Sequence, residues 1–174
     1  MNSAAVERFL ARSLGIGAFL TTVLVYTSVS DPVNVPKMVV LAVVAFGSLG
    51  TLAFSFKTRI FSENKLLISG LVLFVTTSVM AVMQSSSPFN QNFYGTYGRN
   101  TGLLTYISLV LLMLVSTMFN KVENIKFLMW GLLLAGFVNV AYCLWVVLFG
   151  DFIGWSNPYG NILGTLGNPN FIGA

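Results

Sequence analysis

Arg99 is the residue of this chain best placed for chemistry. It lies in Tyr94-Gly-Thr-Tyr-Gly-Arg99-Asn-Thr-Gly102, a short polar stretch between two long apolar runs, and is the only charge between Lys65 and Lys121. Glycine at 95, 98 and 102 lets the backbone turn sharply or lie close to another group. Asn100 or Thr101 can cap the helix expected to start at Leu103. A guanidinium beside a helix N-terminus favours an anion twice over, through its fixed charge and through free N–H groups. The stretch therefore has two readings. In one it is an anion site on Arg99, supported by Gly98, Asn100 and Gly102. In the other it is a glycine turn with one interfacial arginine.

The remaining candidates are sparse. Lys37 also stands at an expected helix start, where snorkelling to the interface is its plainer role. Asn139 falls inside an apolar run, as a polar residue does when it joins helices. Thr76, Thr77 and Ser78 can return their hydroxyls to their own helix. Asp151 reads as a solvated loop charge sooner than as a base. The chain has no histidine and one cysteine, Cys143, so an intrachain disulfide, a Cys-based metal site and a Ser-His triad are all excluded. No catalytic residue, metal or cofactor is assigned.

These residues need elements to hold them, and the composition says which. Of 174 residues, 56% are hydrophobic and 8% charged, and the mean hydropathy is +0.83. Soluble domains are about 25% charged. So little polar surface places the chain in a bilayer, and its scattered basic residues carry no nucleic-acid footprint. The expected fold is all-α, a polytopic transmembrane helix bundle. Five complete spans fall at about 14–29, 38–56, 66–83, 103–119 and 127–149, each near the ~20 residues that cross the hydrocarbon. Backbone groups cannot stay unpaired in lipid, so spans of this kind are helices. The first run has some features of a secretory signal, but with more spans following it reads as a retained helix. Within the second, Gly47 and Gly50 suit close helix packing. Asp31-Pro to Pro36-Lys37 makes a tight turn before it. Asn168-Pro169 is a helix-start signal, so a sixth span is expected to begin near 169 and the chain reads as a piece of a longer protein. Asn157-Pro158 and Asn168-Pro169 lie too close together for the paired half-helices of a water channel.

Basic loops stay cytoplasmic. With the N-terminus inside, seven of the nine basic residues are internal, and only Lys37 and Arg99 are external. The 31–37 turn, the 84–101 loop and the 150–170 loop then share the outer face.

Three motifs resemble those of O-antigen ligase-like membrane proteins: Tyr97-Gly-Arg-Asn-Thr-Gly-Leu-Leu104, the Asp31-Pro to Pro36-Lys37 turn, and Leu166-Gly-Asn-Pro-Asn-Phe-Ile-Gly-Ala174. The resemblance implies a bacterial cytoplasmic (inner) membrane enzyme of about a dozen spans. Such an enzyme transfers or polymerises glycans carried on undecaprenyl pyrophosphate, without a nucleotide sugar or an essential metal. It implies catalytic arginines, and often a histidine, in a later external loop beyond residue 174. Only Arg99 matches a motif position, so only Arg99 carries an implied role. The expected partners are a lipid-linked glycan donor, membrane lipid and further helices of the same protein. A transporter or flippase bundle and a non-catalytic scaffold are the alternatives.

Overall fold

The computed structural model describes residues 3–54, 64–119, 121–154 and 160–168. Among them are six helices and no strand: α1 Ser3–Val23, α2 Asn34–Phe54, α3 Lys65–Gln84, the short α4 Phe89–Tyr94, α5 Leu103–Ser116 and α6 Val122–Phe149. The long helices pack in the order α6, α1, α2, α5, α3, with α4 against α5 and α3.

Packing is tightest where side chains are smallest. A Cβ on Gly131 of α6 would collide with Gly15 O of α1, and one on Gly15 would lie 2.9 Å from Phe127 O. Two backbones this close gain dispersion contacts that larger residues would forbid. Gly47 and Gly50, expected to play this part, do not among the described residues: a Cβ at either meets nothing within 4 Å there. Val6, Leu10 and Leu14 of α1 form a core with Val115 of α5, covered by Val44, Leu112 and Leu128.

At one end of α1, the buried Glu7 carboxylate accepts from Lys121 N at 3.1 Å and Asn124 Nδ2 at 2.8 Å. It places negative charge on the N-terminus of α6, which no local side chain caps. Glu7 near Asn124, Gly15 near Gly131, and Thr22 near Asn139 through Thr165 make α1 and α6 parallel.

Three described helices are long and apolar enough to cross a membrane: Asn34–Thr51, Lys65–Gln84 and Val122–Phe149. Two of the five expected spans fall short of this. The first is displaced, since α1 ends at Val23 and its N-terminal half carries Glu7, Arg8 and Arg12. Residues up to 29 are taken by a turn closed by Tyr26 N donating to Pro32 O at 2.9 Å. The fourth stops at Ser116, giving 14 residues, or about 21 Å of helix against ~30 Å of hydrocarbon. Ser116 and Thr117 hydroxyls donate to Met113 O and Leu114 O, both at 2.7 Å, and i→i+3 bonds tighten the exit. The sixth span lies outside the described residues.

The helix surfaces match a membrane setting. No residue of α3 is buried. On α6, Trp130, Leu133, Phe137, Val140 and Leu144 are exposed.

Candidate functional site

One end of the bundle gathers the 24–34 turn, the 94–102 loop and the 160–168 segment. Its frame is the start of α2. Asp31 Oδ1 accepts from Val33 N at 3.2 Å and Asn34 N at 2.9 Å, with Pro32 in the turn before the helix and Pro36 in its first turn. That is the side-chain pattern of an N-cap, and it begins α2 ahead of the span expected from 38. The cap also holds the Arg99 loop. Gly98 N donates to Asp31 Oδ2 at 3.2 Å, Asn34 Nδ2 donates to Gly98 O at 3.0 Å, and Tyr97 OH donates to Ser30 O at 2.5 Å. Gly98 makes this turn at φ 81, where a side chain would be strained.

The loop then runs into α5. A Cβ at Gly102 would collide with Gly95 N and Phe93 O, so glycine is required where α4 ends against the start of α5. Neither Asn100 nor Thr101 caps α5; the N-cap is Gly102, with no side-chain bond. Asn100 instead adopts φ 49, a left-handed conformation that asparagine tolerates. Its carbonyl accepts from Thr105 Oγ1 at 2.7 Å. Asn100 Oδ1 is buried and has no hydrogen-bond partner among the described residues.

Arg99 and Lys37 come together here. Both line a cleft of about 170 Å³, with Asn34, Asn100, Thr101 and Thr105 around them. Their states differ. Arg99 is exposed, and among the described residues its guanidinium has no bonding partner. Lys37 Nζ donates to Thr22 O at 3.0 Å and Thr165 O at 2.6 Å. It sits at the C-terminal end of α1, where a cation is favoured, and keeps one of its three donors.

Thr165 is the residue that the sequence did not reveal. It is buried. Its N–H donates to Asn139 Oδ1 at 3.1 Å, and its hydroxyl is shared between Asn139 Oδ1 at 2.7 Å and Thr22 O at 2.9 Å. Asn139 Nδ2 donates to Ala135 O at 3.0 Å. Asn139 therefore pins the 160–168 segment and, through Thr165, reaches α1. Thr76, Thr77 and Ser78 do return their hydroxyls to their own helix. Asp151 accepts from Tyr142 OH at 2.5 Å and Ile153 N at 2.9 Å, so it closes the turn after α6. Asn168 lies on the described 160–168 segment, but the helix it was expected to start lies outside the described residues. Among the described residues no cluster of metal-ligating side chains occurs.

The Asp31 carboxylate occupies the positive N-terminal end of α2. Among the described residues no side chain caps the start of α5 beside Arg99. Fold and site together define an all-helical, membrane-type bundle with a cationic cleft at one end. The chain matches no family model, no curated protein and no solved structure.

Proposed function

We propose that the chain is the N-terminal half of a membrane glycan ligase or polymerase, transferring glycan from an undecaprenyl-pyrophosphate carrier at the outer face of the cytoplasmic membrane. The observation that carries this reading is the cleft shared by Arg99 and Lys37. Two residues 62 positions apart in sequence, singled out as the external cations, line one polar recess. A pyrophosphate there meets a guanidinium suited to bidentate contact, and a sugar hydroxyl would satisfy Asn100 Oδ1. The resemblance of the 97–104 motif supplies the substrate class. A transporter would lean on Asn139 as its intramembrane polar group, and that side chain is held by Thr165 and Ala135.

The test is donor-lipid affinity or glycan transfer in the full-length protein, with variants matched for membrane expression. Arg99→Ala is expected to weaken donor binding by about 1–3 kcal/mol, the range for a lost charge-assisted contact. Arg99→Lys recovers part of it, and Lys37→Ala costs less binding than Arg99→Ala. A folded Arg99→Ala protein with wild-type binding and transfer refutes the reading.

A further inference from the structure

We propose that a second, apolar cleft beneath the Arg99 recess seats the hydrocarbon tail of an anionic amphiphile, so that head and tail are held by the same chain. This rests on the lipid-carrier reading for the head and adds an intramolecular site for the tail. The cleft lies between α1, α2, α5 and α6, with walls that include Leu14, Gly17, Ala18, Val44, Leu112 and Leu132. Its volume is about 340 Å³, within the ~300–1,000 Å³ of small-molecule sites. At roughly 30 Å³ per water-sized group, that space takes roughly ten methylene units.

Three observations select the occupant. First, the walls are apolar and their hydroxyls are engaged. Three hydroxyl residues line the cleft, Thr21, Thr22 and Ser116, and each is engaged with its own helix. Thr21 Oγ1 donates to Gly17 O at 2.8 Å, Thr22 Oγ1 to Ala18 O at 2.8 Å, and Ser116 Oγ to Met113 O at 2.7 Å. Water needs two to four polar partners to stay in a cavity, and apolar cavities take apolar guests. Second, the cleft adjoins the cationic recess: Thr21 and Leu41 line both. Third, the recess carries Lys37 and Arg99, so charge complementarity fixes the polar end of the guest as anionic. A linear chain with an anionic head meets all three conditions, whether the chain is isoprenoid or acyl.

The experiment is photocrosslinking of the full chain in nanodiscs with three diazirine-bearing probes: farnesol, dodecanol and farnesyl diphosphate. Binding of inorganic pyrophosphate is measured separately. Ala18→Leu on α1 and Leu132→Trp on α6 fill the cleft from two of its walls, and thermal unfolding confirms that each is folded. Both are expected to cut farnesol and farnesyl diphosphate labelling at least tenfold while leaving pyrophosphate binding unchanged. Arg99→Ala should do the reverse, weakening pyrophosphate and sparing farnesol. Labelling by dodecanol at the same residues identifies a general hydrocarbon seat; labelling by farnesol alone identifies an isoprenoid one. If pyrophosphate fails to bind but the cleft-filling variants still abolish farnesol labelling, the headgroup reading falls and the tail site stands. Farnesol labelling that is unchanged in either folded variant, or that maps away from α1, α2, α5 and α6, overturns the tail site.

Discussion

Lys37 and Arg99 carry the same charge into the same recess and do different work. Lys37 neutralises two carbonyls, Thr22 O and Thr165 O, that would otherwise face a partly apolar surrounding. Arg99 bonds nothing among the described residues and is exposed. Stability and binding should therefore separate. Lys37→Met keeps the aliphatic stem and removes the donor; Thr22 O keeps the Thr165 hydroxyl, but Thr165 O loses its Lys37 donor, so the variant is expected to lower unfolding stability by about 1–3 kcal/mol, the cost of an acceptor left unsatisfied. Arg99→Ala is expected to stay within about 0.5 kcal/mol of wild type, as surface changes do. Thermal or denaturant unfolding in detergent checks both, and equal losses in the two variants would show that Arg99 also holds the fold. Arg99 was legible in the sequence because it is an isolated charge between apolar runs. Thr165 was not, because its partner Thr22 is 143 residues away and one more threonine in a polar loop carries no local signal. Glu7 was hidden in the same way, 117 residues from Asn124.

At the scale of elements, the readable features were those with local physics. Asp31-Pro32 fixes the start of α2 through a cap written within a few residues. Long apolar runs gave α2, α3 and α6. Glycine roles were not readable, because the sequence says that a backbone is bare and not what approaches it. Gly47 and Gly50 face open space among the described residues, and Gly15 and Gly131 bring the α1 and α6 backbones against each other. A paired substitution isolates this difference. Gly131→Leu forces α1 and α6 apart and is expected to destabilise the chain by at least about 3 kcal/mol, beyond the usual overpacking cost of ~1–3 kcal/mol because backbone is the obstacle. A Cβ at Gly136 on the same helix meets nothing within 4 Å among the described residues, so Gly136→Leu should be neutral or gain up to about 1 kcal/mol in helix propensity. The aggregation temperature of each purified variant in detergent reads the contrast. If the two behave alike, the α1–α6 contact does not carry the stability assigned to it.

For the whole molecule, the question is which end meets which side of the membrane. The helices alternate in direction where the contacts show it: the Phe74 ring of α3 lies 6.0 Å from the Tyr106 ring of α5, while Ile68, earlier in α3, shares a groove with Val110 and Leu114, later in α5, so the two run antiparallel. The start of α2 meets the 94–102 loop at one end, and the starts of α1 and α6 meet at the other. The basic residues divide along the same axis. Arg8, Arg12, Lys65, Lys121 and Lys126 belong to the end that holds the helix starts of α1, α3 and α6, while Lys37 and Arg99 belong to the opposite end; Lys57 and Arg59 lie outside the described residues. Short loops rich in Lys and Arg resist translocation, so the N-terminal end is expected in the cytoplasm and the Arg99 recess outside. Loss of α1 and α5 as full-length apolar spans leaves this expectation intact, because it depends on helix direction and charge and not on how deeply each helix reaches. Single cysteines at Ser86 and Ser62 in a Cys143→Ser background test it in intact cells with an impermeant thiol reagent. Labelling at 86 with protection at 62 is the expected result. Labelling at 62 with protection at 86 inverts the bundle, which would put the recess on the cytoplasmic side and end the case for an externally presented glycan carrier.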